Sequence, residues 1–99
     1  MTFYLLQYHP PRQGFADSQT REESAIIAEH FEYLSRLHEA GIVTFAGRVE
    51  DARFGLALLA CENLAAAERL AAADPAVKGQ LFRAEVLPFR LALPPDGAD

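Results

Sequence analysis

The chain contains one cysteine, Cys61, so an intramolecular disulfide is excluded and a cysteine-rich zinc cluster cannot be assembled. Cys61 closes a short apolar run, where a buried, inert thiol is expected. Basic residues are few: nine against fourteen acidic ones, for a net charge of −5, and they form no run. That balance argues against a nucleic-acid surface, which draws affinity from basic groups facing phosphates, and against an anionic membrane patch. Eight of the nine are arginine, with Lys78 the exception, and alanine occurs 18 times, a bias that reads as genome composition. Long apolar stretches are missing too, because Arg, Glu or Asp interrupts every hydrophobic run before it could span a bilayer. With neither a basic leader nor a small-residue cleavage site ahead of Phe3-Tyr4-Leu5-Leu6, a soluble cytoplasmic protein is expected. No Gly-rich phosphate loop, no His-x-x-x-His spacing and no nucleophile-elbow context around Ser18, Ser24 or Ser35 is present. We therefore expect neither a cofactor nor a metal.

What the chain does have is apolar surface. Its 99 residues are 51% hydrophobic and 23% charged, which describes one small globular domain. Residues 2–9 are aromatic and β-rich and stop at Pro10-Pro11, as a strand does; residues 10–19 form a surface loop. Thr20 and Glu23 have the capping-box spacing, and Ile26, Ile27, Phe31, Leu34 and Leu37 follow with a helical period that ends at Gly41. Residues 42–47 and 54–61 read as strands with a turn between them. Asn63 caps a second helix through Leu64, Ala67, Leu70 and Ala71, and Asp74-Pro75 stops it. A short turn ends at Gly79, and residues 81–93 form the last strand. The order β-α-β-β-α-β predicts an α+β, ferredoxin-like fold: a four-stranded antiparallel sheet with two helices on one face. It occupies residues 1–93 as a single domain and leaves 94–99 as a frayed tail.

Two helices cover only one face of such a sheet. Yet Phe3 and Leu5 alternate with Tyr4, Leu6 and Tyr8, and Leu56 and Leu58 with Ala57 and Leu59, so both faces are apolar. A second copy of the chain is the simplest cover, and a homodimer packed sheet to sheet is expected.

His30 stands out among the polar residues. On a helical wheel Ile26, Ile27, Leu34 and Leu37 all fall within about 60° of it, so it points from the core-facing stripe toward the sheet. It is either a core histidine with one ring nitrogen satisfied or a pocket histidine able to exchange a proton near neutral pH. Asp74 is likewise either the N-cap of a short turn with Pro75 in its first position, or a carboxylate that orients a histidine. His9 ends the first strand, where it is expected at a pocket mouth, and His38 lies at the edge of the helical stripe. Arg48, Arg53, Arg83 and Arg90 are surface groups, one of which could anchor a carboxylate.

Taken in order, His30 with Leu34, Leu37 and Gly41, then Ala46-Gly47, Asp74-Pro75 with Gly79, and Val86-Leu87-Pro88-Phe89 resemble the YciI-like family of dimeric ferredoxin-like α+β barrel proteins across about residues 3–90. The resemblance implies that His30 and Asp74 meet in a cleft of each subunit as an active-site pair. One relative is a dehydrochlorinase of a chlorinated aromatic, and related barrels include muconolactone isomerases and monooxygenases. The chain departs from the family at Arg48, where proline is common, and at Ala76, where an aromatic is common. The resemblance thus implies a cofactor-independent lyase or isomerase acting on a small organic, aromatic or cyclic compound, with His30 and Asp74 catalytic; from their own positions in the sequence, His9 and Arg48 are the expected substrate-binding residues. The competing expectation is a non-catalytic ligand-binding or accessory domain in which the pair is structural.

Overall fold

The computed structural model describes residues 2–94. In chain order the elements are β1 (Thr2–His9), a 3-10 turn (Phe15–Asp17), α1 (Arg21–Glu39), β2 (Val43–Arg48), β3 (Gly55–Cys61), α2 (Leu64–Ala72), the short α3 (Pro75–Lys78) and β4 (Arg83–Phe89). The expected β-α-β-β-α-β order is present, with α3 added where only a turn was expected. The tail expected at 94–99 lies, beyond Pro94, outside the described residues.

Helix α1 starts and stops where its local chemistry requires. The Glu23 backbone N–H donates to Thr20 Oγ1 at 3.1 Å, and the Thr20 N–H donates to Glu23 Oε1 at 2.9 Å. These two bonds satisfy otherwise orphaned groups at the helix start. At the other end Gly41 takes φ 82°, a left-handed conformation that glycine adopts without penalty.

The strands form one antiparallel sheet in the order β2-β3-β1-β4. Tyr4, Leu6 and Tyr8 of β1 alternate inward and pack with Ala57, Leu59 and Cys61 of β3, Leu34 of α1 and Ala67 and Ala71 of α2. Alanines on α2 let that helix settle close to the sheet. The opposite face carries Phe3, Leu5, Leu56 and Leu58, flanked by Phe45 of β2 and by Leu87 and Phe89 of β4.

Two details depart from the sequence reading. Strand β4 ends at Phe89 rather than Leu93: Phe89 pairs with Phe3, next to the first residue of β1, and no ladder pair follows it among the described residues. Phe31, placed on the apolar stripe of α1, is 71% exposed. The buried side of that helix centres on Leu34 and His30, and Phe31 lies one residue, about 100° of helical rotation, beyond the histidine.

Edge strand β2 carries an irregularity: Val43 pairs with Leu59, but Phe45 pairs with the adjacent Leu58, leaving Thr44 as an extra residue. The bulge resets the alternation. Val43 faces the helices, and after the bulge so do Ala46, opposite Ala57, and Arg48, opposite Gly55.

Core position and surface position should separate cleanly on truncation. Leu59→Ala, at a fully buried site, is expected to lower unfolding free energy by about 2–5 kcal/mol. Phe31→Ala is expected to change it by about 0.5 kcal/mol or less. Urea unfolding followed by circular dichroism measures both.

Candidate active site

Asp74 is the one charged side chain among the described residues that is fully buried. It caps α3: the Ala76 N–H donates to Oδ1 at 2.9 Å, with Pro75 in the first helical position. Gly79 closes this short helix, where a Cβ would sit only 3.1 Å from the Pro75 carbonyl oxygen that its N–H bonds. The same carboxylate receives two more donors. Tyr8 donates its hydroxyl to Oδ2 at 3.0 Å, and His30 Nδ1 lies 2.9 and 2.8 Å from Oδ1 and Oδ2. Both readings of Asp74 therefore hold together: it is an N-cap and also the partner of His30.

A carboxylate that only accepts fixes the imidazole. Nδ1 carries the hydrogen that points at Asp74, which leaves the Nε2 lone pair free to take a proton. Nε2 has no hydrogen-bond partner among the described residues, whereas every fully buried side-chain nitrogen and oxygen among them has one. Nε2 is thus reached from outside. The His30 side chain, 14% exposed, lines a cleft of about 890 Å³ between α1 and the β2–β3 half of the sheet. Ring contacts hold its plane: Tyr8 and Phe82 stand edge-on to it, with centroids 5.0 and 5.4 Å away.

Tyr8 is part of the site although the sequence reading assigned it only to the strand. Burial first, then the charge of Asp74 and the hydrogen bond to it, push its hydroxyl far above the ordinary phenol range. It therefore stays a donor at any physiological pH. The loop before α1 also contributes. Phe15 is buried and packs edge-on to Phe82 at 5.7 Å, so this segment is a cleft wall and not merely a surface loop. Arg12 anchors it, donating to both Glu23 carboxylate oxygens at 2.8 and 2.9 Å and to the Ser18 carbonyl oxygen at 2.6 Å, with its guanidinium 5.2 Å from the Phe15 ring centre. Those Arg12 bonds, and then the Thr20 backbone N–H, push the Glu23 carboxyl down to about 2.

The remaining expected residues separate. Arg48 lines the cleft with His30. His9 does not join them: β1 alternates, so with Tyr8 inward His9 projects to the other face, 2.6 Å from Glu85. It lines a second, separate surface pocket instead, beside Pro11, Val77 and Arg83. His38 Nδ1 bonds the Val43 carbonyl oxygen at 2.9 Å and joins α1 to β2. Ala76 is fully buried.

The model of the YCII-related domain matches residues 1–90. The chain belongs to this family. None of the functionally curated proteins matches it significantly. Among solved structures it is similar to 5-chloro-2-hydroxyhydroquinone dehydrochlorinase from Burkholderia phenoliruptrix, in complex with 2,5-dihydroxybenzoquinone. That similarity has a TM-score of 0.64 at 18% identity and covers 88% of this chain and 93% of that one. The YCII-related fold is thus shared with an enzyme. No helix among the described residues is long and apolar enough to cross a membrane.

The Tyr8–Asp74 bond generates a pH signature. Below about pH 10 the Tyr8 hydroxyl is protonated in both folded and unfolded chains, and stability is unaffected. Above it the unfolded chain releases a proton that the folded one retains, so stability falls as pH rises. Tyr8→Phe is expected to cost about 1.5–3 kcal/mol at neutral pH, as for hydrogen bonds to charged groups, and to blunt the alkaline loss. Urea midpoints measured between neutral pH and pH about 11 check both effects.

Proposed function

We propose that the protein is an enzyme that transfers a proton on a small organic molecule, as a lyase or an isomerase, and needs no cofactor for that step. The observation that carries this reading is the orientation of His30, with Nδ1 held by a buried carboxylate and Nε2 open to an apolar cleft. His30 acts as the general base, taking a proton from the bound compound through Nε2. Asp74 holds the tautomer and balances the imidazolium that forms. The electron pair left behind either expels a leaving group or shifts the double bond, and in the second case Nε2 returns the proton at another atom. A similar fold in a dehydrochlorinase, whose reaction removes hydrogen and chloride, supports the lyase form.

An accessory domain with a structural His-Asp pair has no use for an open Nε2, which is why the catalytic reading is preferred. It is tested by a thermal-shift screen of phenols, quinols and lactones, followed by NMR measurement of solvent deuterium entering the compounds that bind. His30→Ala is expected to slow that exchange by about 10²–10⁴-fold, the usual contribution of a positioned acid or base, while the fold is retained. Exchange at the wild-type rate in His30→Ala would remove His30 from the chemistry.

We also propose that two copies pack sheet to sheet. Phe45 is 50% exposed, and Leu87 and Phe89 are each 39% exposed, on the face that no helix covers. With Phe3 and Leu5 beside them they form a contiguous apolar surface of the kind that marks an interface. Sedimentation equilibrium at micromolar concentration is expected to give twice the chain mass, and Leu87→Glu to give the single-chain mass. A wild-type monomer under those conditions contradicts the assembly.

A further inference from the structure

We propose that the cleft takes a small planar ring compound bearing an anionic group, with the anion on Arg48, the ring above Gly55 and the reacting atom at His30. This names the substrate class for the proton transfer proposed above and rests on that reading.

The register supplies the geometry. Arg48 pairs with Gly55, and Gly55 pairs with Tyr8, so the three form one row across β2, β3 and β1 on the helix-facing side of the sheet. Two strand spacings put Arg48 and Tyr8 about 10 Å apart, Cα to Cα. The middle residue of the row has no side chain. A Cβ built on Gly55 would lie 3.8 Å from Arg48 Cβ and 4.0 Å from Tyr8 Cβ, so its absence leaves a trough between the two. At one end of the trough Tyr8 stands against the His30 ring. At the other end is Arg48. The span suits a single six-membered ring with one substituent, and Phe15, Phe54 and Phe82 on the cleft walls favour a flat apolar body.

Charge selects the substituent. Arg48 is the one arginine or lysine lining the cleft, and its guanidinium has no hydrogen bond or ion pair with any described residue. Asp51, three positions on, is turned to Arg53 instead, with 3.4 Å between Oδ2 and Nε. The acidic residue of the lining, Glu39, ends α1 next to the start of β2, about 16 Å along that strand from Arg48. A guanidinium is charged at all working pH values, and its planar fork matches a carboxylate or phenolate oxygen. An anionic substituent therefore goes to the Arg48 end, which leaves the opposite ring edge at His30 Nε2.

Titration with hydroxybenzoate and with its neutral amide, followed by NMR of the whole protein, tests this. The acid is expected to bind wild type about tenfold more tightly than the amide, and to move the His30 imidazole signals. Arg48→Ala, at an exposed site, should erase the preference, and Arg48→Lys should keep part of it. The proposal is overturned by any of four results: equal binding of acid and amide, no binding of the acid at millimolar concentration, a preference that survives Arg48→Ala, or His30 signals that stay fixed. Deuterium exchange in His30→Ala reads the other proposal separately. An Arg48-dependent preference with exchange unchanged by His30→Ala would leave the anchor standing and remove the base.

Discussion

The Asp74 carboxylate holds the cleft side of the molecule together. A buried charge is tolerated only when its lone pairs meet donors, and here the donors come from three parts of the chain: the Tyr8 hydroxyl of β1, the His30 ring of α1 and the Ala76 amide of α3. Each donor fixes a degree of freedom. The amide sets where α3 begins, the phenol ties α3 to the sheet, and the imidazole sets the rotation of a helix side chain relative to both. The group that caps a four-residue helix is thus the group that aims the histidine, and the chain cannot lose the orientation of one without disturbing the other.

Around that carboxylate the apolar surface divides into three uses. The helix-facing side of the sheet is a conventional core of Tyr4, Leu6, Ala57 and Leu59. The cleft beside it is lined by aromatic rings that fill less space than the core would, because β2 lies at the sheet edge and α1 bridges over it. The outer face keeps Phe45, Leu87 and Phe89 partly open to solvent. A hydrophobic content of 51% is high for 99 residues only if all of it must be hidden within one chain.

Local signals were readable in the sequence, and long-range ones were not. The capping box at Thr20 and Glu23, the left-handed Gly41 and the Asn63 cap depend on neighbours within a few positions, and each is where the spacing puts it. His30 was legible because four apolar residues share its side of a 3.6-residue period. Its meeting with Asp74 spans 44 positions, and no pattern in the chain encodes that contact; only resemblance to a family implied it. Tyr8 was missed as a site residue, although an inward phenol on a strand must find a partner for its hydroxyl, and that requirement was a usable signal. Phe31 misled because residues on the shoulder of a helical stripe look alike in sequence whether they enter a core or line an open cleft. The last strand read too long because its end depends on where β1 begins, not on its own residues.

The Thr44 bulge was invisible in the run Ile42 to Gly47, and it decides which later residues of β2 face the helices. Alternation in a strand has only two phases, so one extra residue decides which of two neighbours looks inward. Here the phase puts Arg48 on the helix-facing side of the sheet and Gly47 on the outer side. With Thr44 kept in a strictly alternating strand the two would exchange, Gly47 coming to the helix-facing side and Arg48 to the outer one, while His30 and Asp74, on α1 and at the start of α3, kept their places. The backbone at Thr44 thus decides, four positions ahead, whether a cation or a bare glycine stands opposite Gly55 on the helix-facing side of the sheet.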